Sequence, residues 1–171
     1  MVVVRAAQPA DIDAIIDVHI ATWKVAYRGQ LPDAFLDGLD ATRARRAPFW
    51  QRAIGDPATS VLVAERDAAI VGFVSVGKPD EAEVPSDTGM LFAIYVHPDA
   101  WDAGAGRALM LRAIDELRRL GYAKAFLWVL ETNVRARRFY EAGGWRADGA
   151  TKVEERPGAV LREVRYARTL V

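Results

Sequence analysis

Residues 90–121, MLFAIYVHPDAWDAGAGRALMLRAIDELRRLG, place two glycines, Gly104 and Gly106, between an apolar run and a long amphipathic stretch. The apolar run before Pro98 predicts a buried strand. After the glycines, apolar residues recur at the three- and four-residue spacing of a helix that buries one face: Leu109, Met110, Ala113, Ile114 and Leu117. Gly121 predicts the end of that helix. The segment therefore requires a strand, a tight glycine turn and a helix in succession.

This glycine turn is open to two interpretations. A helix N-terminus carries unpaired N–H groups and a partial positive charge, and glycines allow a ligand's oxygens to approach that backbone, so the turn predicts an anion site. Alternatively, the small residues only permit a tight turn and close packing. A Walker A loop requires Lys-Ser or Lys-Thr after the last glycine, where this chain has Arg107-Ala108. A dinucleotide fingerprint requires three glycines, and only two are present.

The rest of the chain alternates between helical and strand patterns. A hairpin is predicted around Asp67, and the polar, acid-rich stretch 78–89 predicts a loop. Further strands are predicted at residues 2–4, 124–130 and 161–170, and further helices from Asp11 to Gly29 and at residues 31–39, 41–54 and 132–144. We interpret residues 1–171 as a single domain of the mixed α/β class.

Composition excludes several classes of protein. Hydrophobic residues make up 51% and charged residues 27%, with a formal net charge of zero. This balance argues against disorder and against a nucleic-acid partner. The chain has no cysteine and two histidines, which argues against a disulfide, a cysteine nucleophile or a metal site. The first residues fit neither a secretory signal nor a transit peptide, and no apolar run approaches bilayer length, so we expect a cytoplasmic protein with no membrane partner.

Two motifs, in order, resemble the GCN5-related N-acetyltransferases (GNAT), which move an acetyl group from acetyl-coenzyme A to an amine. The first is Val96-His97-Pro98 followed by residues 101–106, WDAGAG, similar to V-x-P and R/Q-x-x-G-x-G/A. The second is residues 133–145, NVRARRFYEAGGW, similar to N-x-x-A-x-x-x-Y-x-x-x-G-F. The resemblance covers nearly the whole chain. It implies an acyl-CoA acyltransferase fold with a central mixed, mostly antiparallel sheet flanked by helices, and acetyl-CoA as co-substrate without a metal.

Three residues depart from the family pattern. Trp101 stands where the family often has Arg or Gln, Asp102 where it has Gly, and Ala103 where it has a basic residue. An aspartate facing a diphosphate is repulsive, so we expect Asp102 to point away or to bond backbone N–H groups. Arg107 and a cluster on the following helix are candidates for meeting the phosphates, the alternative being a solvated helix face; the cluster is Arg135, Arg137 and Arg138.

The resemblance also implies roles for individual residues. Asn133 would hold the amide-bearing arm of the cofactor, and Tyr140 would donate a proton to the sulfur, unless Phe139-Tyr140 simply packs the helix on the sheet. The strand ending at Val96 would bend away from its neighbour and supply a backbone oxyanion donor. The residues expected to bind the cofactor are Ile94, Tyr95, Val96, Trp101, Asp102, Ala103, Gly104, Ala105, Gly106, Arg107, Asn133 and Tyr140.

The general base and the acceptor site are less constrained. Glu131, Glu83, Asp87 and His97 are candidates for the base, and ordered water is an alternative. Trp23 and Tyr27, one helical turn apart, either wall the acceptor site through cation–π contact or belong to the core. The residues expected to contact the acceptor are Trp23, Tyr27, Glu83 and Glu131.

The sequence thus predicts direct acetyl transfer in a ternary complex, since no cysteine can carry an acyl-enzyme. The expected acceptor is a small-molecule amine attracted by the acidic loop. Alternatives are a protein amine, another acyl group, or a CoA-binding sensor without turnover. Phe49, Trp50 and the terminal strands are open to two interpretations, a homodimer contact or internal burial.

Overall fold

The computed structural model describes residues 1–171 and contains a seven-stranded sheet with helices on both faces. The strands are β1 (Val3–Ala6), β2 (Thr59–Arg66), β3 (Ala69–Gly77), β4 (Thr88–Val96), β5 (Lys124–Leu130), β6 (Arg146–Arg156) and β7 (Ala159–Thr169). The helices are α1 (Ile12–Ala26), α2 (Asp33–Asp37), α3 (Arg43–Gly55), α4 (Ala105–Arg119) and α5 (Val134–Ala142). The sheet order is β1-β2-β3-β4-β5-β7-β6, and only β4 and β5 are parallel neighbours.

The predicted mixed, mostly antiparallel sheet flanked by helices is confirmed. The hairpin joins β2 to β3 through Asp67 and Ala68, whose φ angles of 53° and 64° are those of a tight primed turn. Strand β6, the edge strand after α5, was not predicted from the sequence. Most of its residues are exposed, and its pairing with β7 is interrupted between Ala147 and Thr151, so it lacks a clean alternation of apolar and polar residues.

Each face of the sheet carries its own core. Helix α4 packs on one face, where Leu109, Leu117 and Trp145 are fully buried. Helices α1 and α3 pack on the other face, where the ring of Trp50 lies 5.1 Å from that of Phe73. Trp50 is therefore part of the interior, whereas its neighbour Phe49 remains exposed. No helix is both long and apolar enough to cross a membrane.

Strands β4 and β5 separate soon after they meet. They share only three residue pairs, Thr88↔Lys124, Gly89↔Ala125 and Met90↔Phe126. Beyond Met90 the register of β4 against β3 shifts, with Leu91 opposite Val76 and Ala93 opposite Ser75, so Phe92 is the extra residue of a bulge. A bulge bends its strand and increases its twist. The carboxyl-terminal half of β4 therefore leaves β5, and a slot opens through the sheet.

We predict that Gly77→Ala lowers the free energy of unfolding by about 1–3 kcal/mol, as overpacking against fixed backbone does. A Cβ on Gly77 would lie 2.5 Å from the carbonyl oxygen of Ala58 and 3.0 Å from the Cα of Thr59, neither of which can move independently. Gly38→Ala is the control, because a Cβ there meets nothing within 4 Å, and its effect is expected below about 0.5 kcal/mol. Urea titration measures both, and equal stabilities would contradict this packing argument.

Candidate active site

The slot between β4 and β5 opens into a cavity of about 810 Å³ that reaches both faces of the sheet. Its walls come from α1, β4, the glycine turn, β5, α5 and one residue of β7. Nineteen of its 28 lining residues are hydrophobic. A mostly apolar cleft with a few polar groups is the usual form of a small-molecule site.

The glycine turn presents six consecutive backbone N–H groups without an acceptor. The N–H groups of residues 102–107 donate to no other group of the protein, and Gly104, which precedes α4, has a φ angle of 86° and provides no side-chain cap. Ala105 is 1% exposed, so at least one of these donors is buried. Because unpaired buried donors cost free energy, a run of them at a helix N-terminus is the arrangement that an anionic ligand completes.

Trp101 and Asp102, two of the departures from the family pattern, make contacts on one side of this turn. The indole N–H of Trp101 donates to the carbonyl oxygen of Val96 at 2.8 Å. Asp102 points into solvent and pairs with Arg135 at 3.0 Å, and the Arg135 guanidinium lies 4.3 Å from the ring centroid of Trp101. Asp102 thus points away from the turn, as expected, and bonds a side chain rather than backbone N–H groups.

The basic residues near the turn divide into two groups. Arg107, Arg135 and Arg138 line the cleft. Arg137 lies outside it, donating to the Tyr166 hydroxyl at 3.0 Å and to the carbonyl of Glu131 at 2.9 Å. Ala103 also does not line the cleft, although it belongs to the turn.

The end of β4 offers further free donors along the slot. The N–H of His97 donates to the carbonyl of Val71 on β3 at 2.7 Å. In an antiparallel pair, alternate residues point their N–H groups to opposite edges, so those of Val96 and Ile94 face the slot. The carbonyl of Val96 is occupied by Trp101 and by the hydroxyl of Thr22 at 3.1 Å. Near the end of β4, the strand edge that faces the slot therefore presents free N–H groups, while the carbonyl of Val96 is already hydrogen-bonded.

Helix α5 contributes Asn133 and Tyr140 to the opposite wall of the cleft. Asn133 precedes the helix as its N-cap: its side-chain Oδ1 accepts from the N–H of Ala136 at 3.1 Å, and its side-chain NH₂ group donates to the Tyr27 hydroxyl at 3.2 Å. Tyr140 is almost fully buried, and its hydroxyl bonds no other group of the protein. Burial raises the pKa of Tyr140, so the phenol keeps its proton at neutral pH.

Aromatic side chains form the wall on the α1 side. The rings of Trp23 and Tyr27 meet edge to face with centroids 4.8 Å apart. Both residues are buried and both line the cleft, together with Tyr95 and Trp128. Trp23 and Tyr27 therefore belong to the core and to the cleft wall at the same time, so the two interpretations do not exclude each other.

The acidic candidates from the sequence are not brought to this cleft. Glu83 and Asp87 are exposed in the loop before β4, and Glu131 is exposed after β5. His97 also lies outside the cleft, and its Nδ1 accepts from the N–H of Asp99 at 3.2 Å. From the same loop, Glu81 instead accepts from the indole N–H of Trp128 at 2.6 Å.

Besides Asp102 at the glycine turn, Glu163 on β7 is the one acidic residue that lines the cleft, and it lies outside both sequence motifs. Its Oε2 is buried without a hydrogen bond, although the ammonium of Lys152 lies 3.6 Å away. Burial is the main reason that the pKa of Glu163 is raised. The available signal was the alternation of β7, in which Glu163 shares a sheet face with the fully buried Leu161.

Comparison with known proteins agrees with this geometry. The model of the acetyltransferase (GNAT) family matches residues 22–145. The uncharacterized N-acetyltransferase YuaI of Bacillus subtilis is 32% identical over 134 residues, 78% of this chain and 74% of that protein. The mycothiol acetyltransferase of Frankia alni is 38% identical over 108 residues, 60% of this chain and only 31% of that protein.

Solved structures share the fold. The PaiA N-acetyltransferase of Thermoplasma acidophilum, in complex with coenzyme A, has a TM-score of 0.76 at 19% identity and covers 99% of both chains. The yncA protein of Salmonella typhimurium, with acetyl-CoA, has a TM-score of 0.72 at 26% identity, covering 99% of this chain and 94% of that one. The protein belongs to the acetyltransferase (GNAT) family, and the resemblance seen in the sequence is confirmed.

We predict that Glu163→Gln stabilises the fold by about 1 kcal/mol at about pH 8, the order of magnitude of an unsatisfied buried oxygen. A carboxyl whose folded pKa is raised opposes folding when it is ionised. The gain should therefore shrink as the pH falls and Glu163 in the wild type protonates. The groups that modulate the Glu163 pKa are Lys152, Glu154 and Arg156.

Denaturant unfolding of both proteins at several pH values measures the difference. Glu155→Gln is the matched control, because Glu155 is exposed on β6 and should show no such pH-dependent gain. A gain that is equal at low and high pH would mean that ionisation of Glu163 is not its cause.

Proposed function

We propose that this protein transfers the acetyl group of acetyl-CoA to the primary amine of a small molecule, directly and within a ternary complex. The observation that carries the proposal is a series of free donors along one cleft: the N–H groups of the glycine turn, residues 102–107, of which all but Ala103 line the cleft, and those of Val96 and Ile94. A diphosphate and an amide-bearing arm are the chemical groups that such a line of donors fits. We further propose that residues 1–171 act as one catalytic domain.

The glycine turn would hold the diphosphate through its backbone, so the departures at Trp101 and Asp102 leave the donors in place. Arg107, Arg135 and Arg138 line the same part of the cleft and supply positive charge. Arg135 is paired with Asp102. Phosphate binding would therefore compete with Asp102 for this guanidinium.

Acetyl-CoA supplies an acyl group as a thioester, and its transfer to an amine forms one C–N bond, breaks one C–S bond and moves one proton from nitrogen to sulfur. Tyr140 is the proposed proton donor to the departing sulfur, because its phenol is protonated, lines the cleft and bonds nothing else. The N–H groups at the end of β4 are placed to stabilise a developing oxyanion.

Glu163 is the proposed base that removes the proton from the amine. The other acidic residue that lines the cleft, Asp102, is paired with Arg135, whereas the raised pKa of Glu163 makes it a stronger base than an ordinary surface glutamate. His19 cannot serve this purpose at neutral pH, because burial lowers its pKa to about 3. The partial match to mycothiol acetyltransferases supports an acetyltransferase activity and leaves the acceptor open.

We predict that Tyr140→Phe lowers kcat by about 100-fold, within the usual range for loss of a general acid, while the KM for acetyl-CoA changes less than about twofold. Release of free thiol from acetyl-CoA with a panel of primary amines measures both constants. Tyr122→Phe is the control, because Tyr122 does not line the cleft. If acetyl-CoA binds and no amine releases thiol, the protein is a CoA-binding sensor and the proposal is wrong.

We predict that Asp102→Asn tightens acetyl-CoA binding about two- to fivefold, because it removes a repulsive charge and frees Arg135 from an exposed ion pair. Asparagine tolerates the positive φ of 60° at this position, so the turn should keep its shape. Asp99→Asn, in the same segment and highly exposed, is the control. Calorimetric titration measures the affinity, and weaker binding to Asp102→Asn would show that the carboxylate supports the site.

A further inference from the structure

A half-buried arginine without a carboxylate partner lies beside the α1 wall of the cleft. The Nε of Arg46 donates to the Thr42 hydroxyl at 2.7 Å, and its Nη1 lies 3.4 Å from both ring nitrogens of His19. Arg46 forms no salt bridge, and burial is the main reason that its pKa is lowered. A charge that is partly removed from water and has no partner costs free energy. Arg46 is therefore suited to bind an anion that comes from outside the protein.

A second arginine approaches the same place from the sheet. The guanidinium of Arg156, at the end of β6, lies 5.5 Å from the ring centroid of Trp23, which lines the cleft. Its partner Glu154, at 3.2 Å, is itself partly exposed. His19 adds no negative charge and stays neutral, because burial and both arginines oppose its protonation. The local charge is therefore positive.

Both arginines approach one aromatic cluster beside the cleft. The ring of His19, which Arg46 contacts, lies 5.0 Å from the ring of Tyr95. It also lies 5.7 Å from the ring of Trp23, which Arg156 approaches. Tyr95, Trp23 and Glu163 line the cleft. The cleft therefore has a carboxylate in its lining and two guanidinium groups next to its α1 wall.

We infer that the acceptor is an amine that also carries a carboxylate, with Arg46 and Arg156 binding the carboxylate and Glu163 receiving the amine. The inference rests on the proposed acetyl transfer and specifies its substrate class as amino acids and their derivatives. It differs from the sequence-based expectation of an acceptor attracted by the acidic loop. Arg46 and Arg156 lie just behind the cleft wall, in contact with His19 and Trp23, whereas no side-chain contact connects Glu83 or Asp87 to a cleft residue. Arg46 and Arg156 are the residues that would determine specificity.

The test compares amino acids with their carboxamides as acceptors, using thiol release from acetyl-CoA by the whole protein. Each pair has the same shape and differs in the charge of one group. The amine of a carboxamide is less basic and thus intrinsically more reactive at neutral pH, so a preference for the carboxylate requires recognition by the protein. We expect kcat/KM for the best amino acid to exceed that for its carboxamide at least tenfold.

Arg46→Gln and Arg156→Gln are expected to raise the KM for the amino acid about tenfold or more, with kcat changed less than threefold and the carboxamide unaffected. Arg45→Gln, an exposed neighbour on α3, is the control and should behave as the wild type. Circular dichroism checks that Arg46→Gln is folded; if it is not, the exposed Arg156 provides the deciding variant.

Two results would overturn the inference alone. If the wild type turns over carboxamides or uncharged amines as well as amino acids, acetyl transfer stands and the anion site does not. Equal losses on both members of a pair in Arg46→Gln and Arg156→Gln would assign the arginines a structural role. Absence of thiol release with every acceptor, despite acetyl-CoA binding, would instead overturn the proposed function itself, and the inference with it.

Discussion

The candidate site of this protein depends on the divergence of β4 from β5, which leaves backbone groups of β4 without hydrogen bonds to a neighbouring strand. The two strands pair over three residues and then diverge, leaving the edge of β4 unpaired inside the molecule. Buried backbone donors without partners cost free energy, so evolution retains them where a ligand completes them. The bulge at Phe92, the glycine turn and the first turn of α4 extend this edge into one surface of donors. The other helices and strands pack around this surface and support it.

The chemistry follows from which face each side chain occupies. Tyr140 reaches the slot from the side of α4 and α5, where apolar packing keeps the phenol protonated. Glu163 and the aromatic residues of α1 reach it from the opposite face. The proposed proton donor and the proposed proton acceptor thus approach one opening from two sides of a sheet, and both line the same cavity.

Much of the fold was predictable because its local signals agree with its tertiary structure. The strand before Pro98, the glycine pair and the apolar stripe of α4 each determine their element, and β5 occurs at the residues expected, 124–130. Strand β6 was not predictable, since its exposed edge position removes the alternation on which sequence analysis relies. The divergence of β4 from β5 was expected only through the family resemblance, because a bulge has no reliable signal in residue type.

The candidate site was predictable in part, for a related reason. Residues within the two motifs, such as Gly104 and Tyr140, carry their own local pattern. Glu163 does not, since it looks like an ordinary charge in a strand until the sheet brings β7 to the cleft. Glu83 and Asp87 were candidates because their loop is rich in acidic residues, and composition indicates charge but not position.

The carbonyl oxygen of Val96 has a wider consequence. An unpaired strand edge normally invites another polypeptide to add itself as an extra strand, because the edge offers donors and acceptors in alternation. Here the indole of Trp101 and the hydroxyl of Thr22 already occupy that acceptor. A foreign strand arriving at this end would not find the Val96 carbonyl free to receive its N–H group. The same two side chains that complete the wall of the slot thus make its end a poorer template for strand addition.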